Sequence, residues 1–153
     1  MGSKPIIAIC YGAQLVAKKF NGSVKNSNSR EYGRANLSFI DENCSLFEGI
    51  NINNQVWMSH GDTISKLPSG AKVIASTNSV SNAAYSIDSL NLYALQFHPE
   101  VFHTENGLKI FENFFLKELK FIKEWNPESF IDRTVKELKS EISDDKVILG
   151  LSG

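Results

Sequence analysis

The sequence predicts an α/β fold, an open and mostly parallel sheet flanked by helices. Three observations carry that prediction. Ile6, Ile7, Ala8 and Ile9 form a short apolar, β-branched run of the kind that suits a strand covered on both faces. Two later strand-like runs, 55–58 and 92–97, stop at the polar groups Ser59-His60-Gly61-Asp62 and His98-Pro99-Glu100. Residues 13–20 and 107–119 read as helices, the second with an apolar face of Leu108, Ile110, Phe111, Phe114, Phe115 and Leu119.

The elements follow in order. The strand at 6–9 runs into Cys10, and Tyr11-Gly12 turns the chain into the first helix. Asn21-Gly22 is a C-cap and turn signal. Residues 23–28 are polar and turn-like. Residues 36–40 alternate like a half-buried strand, and 43–49 suit a short helix or turn. Leu67-Pro68-Ser69-Gly70 is a turn, followed by strands at 72–76 and 83–87 with a polar loop at 77–82. Near Trp125-Asn126-Pro127-Glu128 the composition changes, so residues 1–125 and 126–153 are read as separate domains. Apolar residues at Phe130, Ile131, Val135, Leu138 and Ile142 have helical spacing. Asp144-Asp145 is a turn, and 146–151 is a second buried-type strand entering Ser152-Gly153.

Composition narrows the function classes. The chain has 153 residues and a net charge of −1, which gives no basic bias toward nucleic acid. No apolar run reaches transmembrane length, so no membrane association is expected. The opening residues carry neither a signal peptide nor a full myristoylation motif. Two cysteines, Cys10 and Cys44, give neither a disulfide framework nor metal-ligand spacing. A reducing, cytoplasmic setting fits them and leaves Cys10 free to react. No metal is expected at the site.

Cys10 has two competing readings. It is either a small buried cysteine in an ordinary strand or a nucleophile on a sharp strand-to-helix turn. At such a turn the helix N-terminus favours the thiolate. A cysteine nucleophile needs a base, and the base needs a third group to orient it. His98 and Glu100, just past the end of another strand, supply both types. Either residue alone reads as an ordinary surface group; the three together favour chemistry. His60 and His103 compete with His98 as the base. Cys44, with no strand leading into it, reads as structural.

The segments 8–14 (Ala-Ile-Cys-Tyr-Gly-Ala-Gln) and Phe97-His98-Pro99-Glu100 resemble the class I, triad-type glutamine amidotransferases, a flavodoxin-like family. Arg30-Glu31-Tyr32-Gly33, Trp57-Met58-Ser59-His60-Gly61-Asp62 and the ending 146–153 are similar to the branch that aminates XMP to GMP. The resemblance implies that Cys10 attacks glutamine, His98 is the base and Glu100 orients it. It further implies that Tyr11 N–H is an oxyanion donor, that Gln14 holds glutamine, and that Ser59, His60 and Asp62 lie near the substrate. It implies no cofactor for the glutaminase. For the complete synthetase it implies ATP and Mg²⁺, with Ser152 and Gly153 opening the ATP loop, XMP as acceptor, and a homodimer.

The family places Gly where Ala8 stands, and the small Ala8 is expected to be tolerated. The resemblance also implies strands ahead of residue 5, including a Gly-Gly-Pro-type turn with a second oxyanion donor, and an ATP loop running past Gly153. The sequence is therefore expected to be an internal part of a longer enzyme, with little glutaminase activity in isolation and an aggregation-prone strand edge. Two alternatives stay open. One is another triad amidotransferase or a γ-glutamyl hydrolase. The other is a non-catalytic module of the same fold.

Overall fold

The computed structural model describes residues 4–122, 127–143, 148 and 150, and the backbone alone of residues 27–31 and 127–129. The chain forms two compact units, Met1–Phe121 and Ile122–Gly153.

The first unit is built on a six-stranded sheet. Its strands are β1 (Ile6–Ile9), β2 (Ser23–Ile40), β3 (Gln55–Lys66), β4 (Lys72–Thr77), β5 (Ala84–Ile87) and β6 (Leu92–Leu95). The spatial order is β1-β6-β5-β4-β2-β3. The α/β class holds, but the sheet is mixed rather than mostly parallel. Parallel pairing occurs between β1 and β6, with Ile9 opposite Leu95. The pairs β2–β3, β2–β4, β4–β5 and β5–β6 are antiparallel. The physical reason lies in the connections. Short links such as 88–91 between β5 and β6 can only return the chain antiparallel, whereas β1 and β6 are joined by most of the unit.

The long β2–β3 hairpin overturns two local expectations. Residues 23–26, read as turn-like, belong to β2, and Ser59–Asp62 lie inside β3 rather than after its end. Polar residues are tolerated there because one face of an antiparallel ribbon meets solvent. Period-two alternation still operates: Val56, Met58 and His60 point into the molecule, while Ser59 is exposed.

Helix α1 (Tyr11–Lys19) packs on the sheet through Ala13, Val16 and Ala17. Ala13 and Ala17 are small enough to let the helix approach Tyr85, whose hydroxyl donates to Ala13 O at 2.7 Å. Burial pushes the Tyr85 hydroxyl well above the ordinary phenol range, so it stays a donor. Tyr85→Phe should lower unfolding free energy by about 1 kcal/mol in a urea titration.

Helix α2 (Gly107–Asn113) is shorter than its periodicity suggests and passes into a π-type turn at Phe114–Glu118, closed by Leu119 N–H to Phe114 O at 3.0 Å. The buried stripe is Gly107, Ile110, Asn113 and Phe114. Leu108 is 84% exposed and Phe115 is also exposed, so neither belongs to the core-facing side. Asn113 replaces an apolar residue on that stripe because its Nδ2 donates to Leu46 O and Glu48 O, at 3.0 and 2.9 Å. Ser45–Phe47 is a short 3₁₀ turn, and Cys44 beside it is buried in the core.

In the second unit, α3 spans Pro127–Ile142. Phe130, Ile131, Val135 and Leu138 are exposed on it. The turn at Asp144-Asp145 lies outside the described residues, as do most of the strand expected at 146–151 and both Ser152 and Gly153.

Candidate active site

Cys10 sits where β1 ends and α1 begins. Its backbone has φ 50° and ψ −107°, a left-handed conformation that a non-glycine residue adopts only when its surroundings impose it. The surroundings are evident. Cys10 N–H donates to Leu95 O on β6 at 2.7 Å, and Gln14 N–H donates to Cys10 O at 3.2 Å to open the helix. The strand pins one side of the residue and the helix pins the other. This backbone supports the strained-elbow reading over the ordinary-strand reading.

The thiol is partly buried. Its Sγ lies 3.8 Å from Ser59 O, and Gln96 Nε2 lies 3.9 Å from Sγ. Burial raises the thiol pKa above its ordinary value, the Tyr11 backbone N–H pulls it down, and the negative Glu100 raises it again. The Tyr11 side chain projects outward, 72% exposed.

His98 lies three residues beyond Leu95, the parallel partner of Ile9. Its Nδ1 is 2.5 Å from Glu100 Oε1. A carboxylate can only accept, so Nδ1 carries a proton; in the neutral imidazole the lone pair is then on Nε2. The turn is held from several sides. His98 N–H donates to Trp57 O at 2.9 Å. Thr104 Oγ1 donates to His98 O at 2.5 Å and accepts from Trp57 N–H at 3.0 Å. Gly107 presses on Pro99 so closely that a Cβ would stand 2.0 Å from Pro99 O.

The competing histidines are otherwise engaged. His60 is buried, with Nδ1 2.9 Å from Asp62 O. His103 stacks between Trp57 and Phe102, with ring centroids 4.2 and 3.7 Å away.

A cleft of about 340 Å³ opens beside Cys10, lined by Cys10, Tyr11, Gln14, Tyr32, Ser59, His60, Gly61 and Asp62. It gathers every residue expected near the substrate. His98 does not line it, and Glu100 borders a separate cavity of about 510 Å³ with Pro99, Phe102 and Leu108. Gln14 is more constrained than expected. Its Nε2 donates to Asp62 O at 2.8 Å and to Gln96 Oε1 at 3.2 Å. Both amide hydrogens are used, which leaves the Gln14 oxygen for a ligand.

Sequence reasoning missed Gln96, Thr104 and Gly107. Gln96 had a signal, an amide inside an otherwise apolar strand run. Thr104 and Gly107 had none, because their partners Trp57, His98 and Pro99 are brought to them only by the fold.

The profile of the family described as "Glutamine amidotransferase class-I" matches residues 1–118. The chain belongs to the class I glutamine amidotransferases. Within that family it is 51% identical over 152 residues to the glutamine-hydrolysing GMP synthase of Flavobacterium psychrophilum, and 50% identical to GMP synthase 1 of Bacteroides thetaiotaomicron. In both cases 99% of this chain is matched but only 30% of the relative. A GMP synthase subunit protein from Thermoplasma acidophilum aligns over 89% of this chain and 61% of its own, with TM-score 0.69 and 31% identity. A Thermotoga maritima glutamine amidotransferase aligns over 89% of this chain and 56% of its own, with TM-score 0.57 and 26% identity. The mixed sheet with its flanking helices is thus the amidotransferase fold. Among the described residues no helix is long and apolar enough to cross a membrane.

Proposed function

We propose that this amidotransferase chain carries the glutamine-hydrolysing machinery, with Cys10 as nucleophile, His98 as base and Glu100 as its orienting group. The observation that carries the reading is the left-handed Cys10 backbone between β1 and α1, on the parallel neighbour of the strand that leads to the His98–Glu100 pair. His98 Nε2 takes the thiol proton. The thiolate attacks the side-chain carbonyl carbon of glutamine, and the carbonyl π pair moves onto oxygen. Tyr11 N–H donates to that oxyanion; one such donor is worth about 10²–10³-fold in rate. The oxyanion collapses, the C–N bond breaks, and His98 returns the proton to the departing nitrogen. Ammonia leaves and a γ-glutamyl thioester remains on Cys10. Water, giving a proton to His98, attacks the thioester carbon. The C–S bond breaks, glutamate leaves, and the thiol is restored.

The GMP synthase relatives support XMP as the acceptor of the ammonia. In this reading residues 126–153 begin the domain that uses ATP and Mg²⁺. Ser152 and Gly153, which this reading gives to the ATP loop, lie outside the described residues. A homodimer and a cytoplasmic location belong to the same reading.

The test is an acid quench of the chain with radiolabelled glutamine, which reads a single acylation of the thiol and does not depend on the turnover expected to be low. Label should be trapped on the Cys10 peptide and absent from Cys10→Ala. Label retained by Cys10→Ala, or no label on a folded wild-type chain, would overturn the assignment.

A further inference from the structure

Gln96 is one of the most deeply buried polar side chains in the chain, 1% exposed, and it touches the reactive sulfur. Amide oxygen and nitrogen are assigned from hydrogen-bond partners, and here the partners leave a single assignment. Gln14 faces the carbonyl of Asp62, which can only accept, so the Gln14 atom at that point is its nitrogen. The same nitrogen lies 3.2 Å from the Gln96 amide, so the Gln96 atom facing it is the oxygen. The other end of Gln96, its Nε2, is thereby turned toward Cys10 Sγ at 3.9 Å. The backbone supports the placement, since Gln96 N–H donates to Ala83 O at 2.8 Å and fixes the residue at the end of β6.

We propose that Gln96 is a further catalytic residue of this site, its carboxamide N–H donating to Cys10 Sγ and stabilising the thiolate that attacks the substrate. The inference rests on Cys10 being the nucleophile. Gln14 acts one step behind, as a positioning residue that holds the Gln96 amide in its donating orientation. The donor answers a specific need. Burial and the Glu100 carboxylate both oppose the thiolate, and donors aimed at the sulfur offset them. Tyr11 N–H is one such donor and Gln96 the second. Tyr11 N–H is also needed by the oxyanion as the attack proceeds, whereas Gln96 can stay with the sulfur and speed its departure from the thioester.

The experiment follows iodoacetamide alkylation of Cys10 against pH in the full chain, with the modified peptide identified by mass spectrometry. In Gln96→Met, which keeps bulk and removes the donor, the midpoint of the pH profile should move up. The rate near neutral pH should fall roughly tenfold, the scale of one hydrogen bond to a charged group. Gln14→Met should shift the midpoint in the same direction by less. A merely structural Gln96 would instead lower the melting temperature and speed alkylation with the midpoint unmoved. That result, in folded Gln96→Met, overturns the proposal. If Gln96→Met does not fold, the uncharged Gln96→Leu decides by the same midpoint, which should rise likewise. The thioester trap with Cys10→Ala reports separately on the nucleophile, so failure of the underlying reading is seen there and not in the Gln96 profiles.

Discussion

Gly107→Ala should unseat the His98–Glu100 turn and cost both stability and reactivity. The position is unusual because its backbone is ordinary: Gly107 does not need a left-handed conformation. It needs space. An added Cβ would lie 2.0 Å from Pro99 O and 3.0 Å from Pro99 C, both backbone atoms that cannot rotate aside. Two effects oppose each other. Alanine is intrinsically better than glycine in a helix by about 1 kcal/mol. Overpacking a rigid contact costs about 1–3 kcal/mol, occasionally more. The contact wins because nothing flexible can absorb it, so a net loss of about 1–2 kcal/mol is expected by urea denaturation. Either α2 moves or the turn does. If the turn moves, His98 leaves its place relative to Cys10, and an error of this kind can cost about 10²-fold in rate. An unchanged or raised stability, with unchanged thioester formation, would show that the contact is not rigid.

Glu100→Gln should split two observables that a general disruption would move together. Glu100 raises the Cys10 thiol pKa through its negative charge. Removing the charge should lower the midpoint of Cys10 alkylation, so more thiolate is present near neutral pH. Thioester formation from glutamine should nevertheless slow by about 10²–10⁴-fold. The amide of the substituted side chain can turn its NH₂ to His98 Nδ1 and select the tautomer that puts the proton on Nε2, where the base is needed. A faster thiol and a slower enzyme from one substitution is a signature of an orienting carboxylate. Parallel changes in both readouts would reduce Glu100 to an ordinary surface charge.

The sequence was informative where the chemistry is local. The apolar run before Cys10, the polar stop at His98-Pro99-Glu100 and the helix after the elbow are each written in a few adjacent residues, and each is found in place. The sheet was harder to read. Residues 23–26 look like a loop because polar side chains dominate them, yet they pair with 62–66 across a hairpin whose partner lies some forty residues away. The same hairpin carries Ser59 to Asp62 as strand residues, which is why they line the cleft from the side and not from a loop. Helix α2 misled for a different reason. Its apolar residues outnumber the positions that face the core, and a π-type turn shifts the phase after Asn113. The amide relay from Asp62 through Gln14 and Gln96 to Cys10 is the least legible part, since its members come from segments far apart in sequence.

The central claim is that Cys10 is a glutamine-directed nucleophile, not merely a partly exposed thiol. The direct measurement is covalent labelling by an electrophilic glutamine analogue, with the modified peptide mapped and free glutamine added as competitor. The account predicts modification at Cys10, slowed by glutamine in proportion to its concentration, with buried Cys44 unmodified. Labelling of a folded chain at Cys44, or labelling of Cys10 that glutamine does not slow, would contradict it.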